Sequence, residues 1–566
     1  MTGHRLNRVG PSELAAGSPS IEQLLRTIAT AAHSSMRSGA YFAEAPAQLR
    51  VLSSLAEGSD RTVAMIAIDA GFTLHALLPF SRDDYAADFA AAESDAEYRD
   101  LLGRAERVFE LPGDRADLDR GYDLAARALV AHSDILIALW DGDPGRGPGG
   151  TAAVVAMALA RGIPVFHWRP AAPAELHVRW SGFAALPVAR ERSDDYPAVR
   201  CDDAIVASTV ERLLLPADEP NERRYLAGFY TERERRVRLR IEYPLLLAAT
   251  GVRRLSAATF RAPRYADETV RADTLKHAHA WSDQLANHFA QTFRSGHVLN
   301  FSLSAAAVLF ALSGLVFPAI KFWLIVAELA IISLLIVNTQ VGRARQWHRR
   351  WLDYRYLAEC LRPMQDLQRY GLIGPASRRA AGMPQRWPDW YAEAIWRDLG
   401  CPSGRIDRDS AGSLNRDVVT TELTPQVDYH RATAHRMHTL EHRLHGVGNA
   451  LFIATIVVCL GFIVGYFAAH DWTVAHAPLF TAITAGLPAL GGAIYGIRVQ
   501  GDFGGTASRS LKAAEDLARL RDALLADPPP PFAQAAALFE AAARVMLSDL
   551  TEWQLAYRQR GLAIPA

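Results

Sequence analysis

A chain of 566 residues is too long for one ordinary hydrophobic core, so two or three domains are expected, each burying its own interior. Its 61 basic residues balance 61 acidic ones, which argues against an electrostatic nucleic-acid binder and leaves nucleic acid off the list of expected partners. Cys201, Cys360, Cys401 and Cys459 lack CxxC or CxxH spacing, so neither a disulfide framework nor a zinc site is expected, and no other cofactor is indicated.

From Met1 to about Pro170, apolar strand-like runs alternate with helical stretches, the signature of an α/β Rossmann-like domain with a parallel sheet. Leu49–Ser54, Phe72–Pro79, Arg107–Leu111, Ile135–Trp140 and Ile163–Phe166 read as strands, and a helix is predicted from Ser59. In such sheets ligands bind at the carboxyl ends of the strands, where helix N-termini offer free N–H groups and partial positive charge. Three loops fall there: Thr2–Arg5, Leu55–Arg61 and the glycine-rich Asp141–Thr151. Gly149 and Gly150 before Thr151 would let backbone amides and a hydroxyl close on a phosphate, and the guanidinium forks of Arg5 and Arg61 match phosphate oxygens. Glu57 and Asp60 are acid or base candidates, or caps of the helix starting at Ser59.

Residues 171–225 are poorly patterned and read as a connector with one added strand at most. Beyond them, 298–317, 322–342, 446–469 and 477–497 each supply about 20 apolar residues, the length of a transmembrane helix. The short links between the first and second spans and between the third and fourth predict two antiparallel hairpins. Arginine concentrates at their open ends, at Arg294, Arg343, Arg345, Arg349, Arg350 and Arg355 for the first and Arg436, Arg443, Arg498 and Arg509 for the second. That bias predicts a multi-pass protein of the lipid bilayer with its N- and C-termini and its 371–434 linker in the cytoplasm. No charged-then-apolar leader precedes the first strands, so membrane entry is expected from these internal segments.

Amphipathic helices flank both hairpins: Trp281–Phe293 before the first and Trp347–Leu361 after it, His435–His445 and Thr506–Leu525 around the second, with Ala533–Tyr557 last. This suggests a loose duplication, residues 226–370 and 435–566. Glu328 is a lone carboxyl within the second span, either protonated between helices or functional. Gly486, Pro488, Gly491, Gly492 and Gly496 in the fourth span point to close helix packing. The histidines at 435, 438, 442 and 445 are read as interfacial, not as metal ligands.

The Gly3-His4-Arg5 start, the Leu55-Ala-Glu-Gly-Ser-Asp-Arg61 turn and the Gly149-Gly-Thr-Ala152 turn resemble the SLOG superfamily over residues 1–170. That resemblance implies a nucleotide-derived ligand contacted by Gly3, His4, Arg5, Glu57, Gly58, Ser59, Asp60, Arg61, Gly149, Gly150 and Thr151. Two positions depart from the family. The phosphoribohydrolase branch has a catalytic glutamate where this chain has Val154, so binding is favoured over hydrolysis and no catalytic residue is assigned. The family's GHR turn follows a first strand, whereas only Met1 and Thr2 precede Gly3; the central strand is missing or the start lies upstream.

The hairpins with their flanking helices, and Trp351-x-x-Tyr354-Arg355-x-x-Ala358-Glu359-x-Leu361-Arg362, resemble the SLATT two-span membrane effectors. Together the resemblances imply a homo-oligomeric effector of the bacterial inner membrane, in which a second-messenger nucleotide opens or assembles pores in antiviral or conflict defence. A membrane-anchored nucleotide or NAD hydrolase is the alternative, and a small channel or transporter the third reading.

Overall fold

The computed structural model describes residues 1–6, 8–38, 41–42, 44–143, 147, 149–172, 175–184, 190–235, 237–261, 270, 272–375 and 385–557. The chain forms two compact units. The first takes Met1–Glu232, Cys360–Glu422 and Leu520–Arg544; the second takes Arg233–Glu359, Leu423–Arg519 and the stretch from Val545. The chain therefore passes between them after Glu232, Glu359, Glu422, Arg519 and Arg544.

In the first unit the strands are β1 (Thr2–Gly3), β2 (Arg50–Ser53), β3 (Thr73–Leu78), β4 (Arg107–Glu110), β5 (Leu136–Leu139), β6 (Val165–Trp168), β7 (Leu176–Arg179), β8 (Ala198–Arg200) and β9 (Gly404–Arg405). They form two sheets, ordered β1-β5-β6-β7-β8 and β2-β3-β4-β9. The Met1 α-amino group donates to Leu52 O at 2.9 Å, which brings β1 alongside β2 and joins the sheets edge to edge. The pairs of β1 with β5, β5 with β6, β2 with β3, β3 with β4 and β4 with β9 are parallel. Strand order thus reverses at β1, creating a switch point where the loops after β1 and β5 diverge.

Every residue of β5 and β6 is buried, as expected of parallel strands covered on both faces. The helices in chain order are α1 (Pro11–Ser38), α2 (Ser59–Asp69), α3 (Ala92–Arg104), α4 (Leu118–His132), α5 (Thr151–Ala160), α6 (Asp203–Leu214) and α7 (Pro220–Tyr230). Helix α1 packs on α2 and α6.

Three features differ from the sequence expectation. The central strand is present, but Thr2 and Gly3 alone form it, paired with Ala138 and Leu139. The 171–225 stretch adds two strands, β7 and β8, antiparallel to their neighbours. The 371–434 stretch belongs largely to the first unit: it supplies β9 and the helix Trp387–Leu399. There Trp390 Nε1 donates to Leu214 O at 2.8 Å, Trp396 Nε1 to Ala131 O at 3.2 Å, and Arg397 pairs with Asp134 at 3.0 Å. Each tryptophan buries a large ring and still satisfies its indole N–H, which fixes the helix's rotation as well as its position.

The second unit is helical: α8 (Glu242–Ala249), α9 (Thr274–Val316), α10 (Lys321–Ala344), α11 (Trp347–Leu361), α12 (Thr424–Ala468), α13 (Ala477–Gly501), α14 (Phe503–Leu524) and α15 (Phe532–Tyr557), of which α11, α14 and α15 run across the boundary between units. The four runs that contain α9, α10, α12 and α13 are long and apolar enough to cross a membrane. Trp281–Phe293 and His435–His445 are continuous with spans inside α9 and α12, so each amphipathic stretch is the first part of a single rod. Helix α9 packs on α10 and α13, and α12 on α13. The small residues of α13 serve this packing: a Cβ on Gly486 would lie 3.0 Å from Leu309, on Gly491 3.2 Å from Phe452, and on Gly496 2.1 Å from Phe301. Left-handed residues, Gln346 (φ 51°) and Asp502 (φ 46°), separate α10 from α11 and α13 from α14. The same local device thus follows both candidate span pairs.

Between α9 and α10 lies a buried polar chain. Arg240 Nη1 donates to Asn338 Oδ1 at 2.8 Å, Asn338 Nδ2 to Asn300 Oδ1 at 2.7 Å, and Asn300 Nδ2 to Thr339 Oγ1 at 2.9 Å. Amides in an apolar setting bond across helices because no water is there to replace the partner.

Candidate functional site

The three sequence-predicted loops converge at the carboxyl ends of β1, β2 and β5. His4 N donates to Leu139 O at 3.2 Å, and His4 O accepts from Ser59 N at 3.5 Å and Ser59 Oγ at 3.1 Å. One residue after β1 therefore ties the end of β5 to the loop after β2. Gly3 is required by that closeness, since a Cβ there would sit 2.1 Å from Ser59 Oγ. Gly58 has φ 101°, and a Cβ there would lie 3.1 Å from His4 O, so only glycine combines its conformation with its clearance.

Gly149 has φ 80°, and a Cβ there would lie 2.7 Å from the Tyr122 backbone. Gly150 is the N-cap of α5 and Gly58 the N-cap of α2, and neither end has a side-chain cap. Glu57 and Asp60 therefore do not cap α2. Thr151 opens α5, while Val154, one turn further, is 2 % exposed and belongs to the core. Residues 144–146 and 148 of the third loop lie outside the described residues.

The two arginines of the phosphate hypothesis have separate environments. Arg5 is 42 % exposed; its Nη2 donates to Tyr122 Oη at 2.8 Å and lies 3.5 Å from Asp88 Oδ2. Arg61 is 1 % exposed. Its Nε donates to Leu55 O at 3.0 Å, its Nη1 to Ser94 O at 2.8 Å and Glu97 Oε2 at 2.9 Å, and its guanidinium lies 4.2 Å from the Phe89 ring centroid. Leu55 holds a left-handed conformation, φ 55°, unusual for a buried leucine. Arg61 thus clamps the strained turn that presents Glu57, which is half-exposed.

Asp60 is 6 % exposed, and its Oδ1 has no hydrogen-bond partner among the described residues. Burial raises its pKa to about 7, against the opposing pull of the Met1 α-amino group, Arg5 and Arg61. A buried carboxyl oxygen without a donor is costly, and a ligand hydroxyl or amine would satisfy it.

Five residues outside the expected set, Arg8, Asp88, Arg115, Tyr122 and Asp141, complete the cluster. Asp88, after β3, accepts from Tyr122 Oη and pairs with Arg115 at 2.9 Å. Asp141, within the third loop, lies 3.1 Å from His4 Nε2 and 3.2 Å from Arg8. Its partial burial acts to raise its pKa, but the Asp143 N–H with His4 and Arg8 outweighs this and lowers it. Asp88 and Tyr122 follow β3 and β4, but their convergence on Arg5 is a tertiary contact that no motif spacing marks.

No protein-family profile, curated protein or solved structure matches the chain. The site rests on its geometry: two glycine-capped helix N-termini, one exposed arginine and one buried carboxyl of raised pKa at a switch point. Such a set can hold an anion at the N–H groups and orient a polar ring or sugar at Asp60.

Proposed function

We propose that the chain is a ligand-gated effector of the bacterial inner membrane. The α/β unit binds a nucleotide-derived signal, and the four apolar helices, set as two hairpins in a homo-oligomer, permeabilise or depolarise the bilayer in antiviral or conflict defence. The observation that carries this reading is the convergence of the three loops on the switch point, in a chain that also has four helices of membrane-spanning length. Lipid contact is supported by the exposure of Phe322, Trp323, Leu329, Val464 and Phe467, an apolar area that water would not tolerate. Glu328 supports assembly: half-exposed on α10, its carboxyl has no partner among the described residues and would find one in a neighbouring copy.

Binding without turnover is favoured by Val154, whose side chain can neither accept a proton nor stabilise a cation. One observation favours the hydrolase alternative: Asp60, with a pKa near 7, could exchange a proton at neutral pH. Dye release from liposomes holding the full chain, with each added cyclic or NAD-derived nucleotide followed by mass spectrometry, separates the two. Release triggered by an unconsumed nucleotide and abolished in Arg5→Gln supports the gated effector. Consumption without release would establish the enzyme.

A further inference from the structure

Within the second unit, a cavity of about 230 Å³ is walled by α8 and the turn after it, α9, α11, α12 and α14, with Met546 of α15. Five arginines line it, Arg253, Arg294, Arg355, Arg436 and Arg509, against a single lining carboxylate, Glu359. Two of the five have carboxylate partners: Arg355 pairs with Glu359 and, at 3.1 Å, with Asp283, and Arg509 pairs with Asp502 at 2.9 Å. Arg253, Arg294 and Arg436 have none among the described residues. Arg294 lies over the rings of Tyr243 and Trp351, at 5.5 and 5.0 Å, which orients the guanidinium without neutralising it. Among the described residues, Arg436 donates only to Ala432 O and Thr433 Oγ1 on its own helix.

Flanking arginines that merely orient a membrane protein need only lie outside its spans and can point separately into water. Here they come from four helices and a turn and face one small cavity, where like charges repel unless an anion stands among them. We propose that this cavity is a binding site for a phosphate-bearing anion, held by Arg253, Arg294 and Arg436. Guanidinium forks match phosphate oxygens in pairs, and the cavity has room for a phosphate or pyrophosphate group. Arg294 stands four residues before Val298 and Arg436 ten before Gly446, so the anion would bridge the lead-in helices of both candidate span pairs. Its source is a free phosphate compound or a lipid headgroup. The site does not depend on the loops of the α/β unit.

The test uses the full chain in neutral detergent, with Arg5→Gln as the background so that binding at the α/β loops does not contribute. Inorganic pyrophosphate is titrated calorimetrically, and retention of phosphatidylglycerol against phosphatidylcholine is read by native mass spectrometry. Arg253→Gln and Arg436→Gln are compared with that background; Arg253 is exposed and its side chain makes no hydrogen bond or ion pair among the described residues, so its variant keeps the fold. The expected result is pyrophosphate binding, selective phosphatidylglycerol retention or both, weakened about tenfold in each variant. Pyrophosphate alone identifies a free ligand, and phosphatidylglycerol alone a headgroup. Binding of neither, or binding unchanged in both variants, overturns the proposal.

Discussion

Arg5, in the loop after β1, and Arg61, in the first turn of α2, do different work. The exposed Arg5 can turn toward a ligand, so Arg5→Gln is expected to cost no more than about 1 kcal/mol of stability while abolishing ligand-triggered release. Arg61 holds buried carbonyls and a strained turn. Its replacement by alanine should cost about 3 kcal/mol, visible as a lowered melting temperature before any ligand is added. Loss of function in Arg61→Ala would therefore report on the fold. Asp60 has its own signature. Its pKa lies near 4 in the unfolded chain and is raised to about 7 by burial. The folded state holds its proton more tightly, so this contribution to stability is full below about pH 4 and is lost as pH rises through 7. Melting temperatures measured from pH 4.5 to 8 should show the wild type falling relative to Asp60→Asn. Parallel curves would place the carboxyl in an ordinary aqueous environment.

At the level of elements, β2 to β6 were readable because parallel strands of a covered sheet are written as short apolar runs, as in Leu136–Leu139, whereas β7 and β8, antiparallel to their neighbours, fell in a poorly patterned stretch. β1 and β9 were not, since two residues leave no period to detect, and Gly404–Arg405 is exposed. The helix Trp387–Leu399 carried a strong apolar face, but its partners, Leu214 and Ala131, lie far away in sequence and only tertiary structure reveals them. The candidate loops were readable through their glycines; Asp88 and Tyr122 enter through side-chain convergence, which no spacing encodes. Among the apolar helices, Asn338→Leu should take one buried hydrogen bond from each of Asn300 and Arg240 and cost about 2 kcal/mol, measurable as a lower melting temperature in detergent. Gly496→Val should push α13 off Phe301 and destabilise the full chain to a similar degree. An unchanged melting temperature in either would mean that the contact is not made in the bilayer-embedded protein.

At the scale of the whole molecule, the two units are interleaved by five passages of one chain, and three of these fall inside continuous helices. A sensor strung to its effector by one linker can be freed by a single proteolytic cut or exchanged by one recombination event. Neither is open to this chain, because no single cut at the passages separates the units. Natural variants would then be expected to inherit sensor and membrane parts as one piece, and diversity in the recognised signal would arise by substitution in the loops at the sheet edge instead of by replacement of the domain.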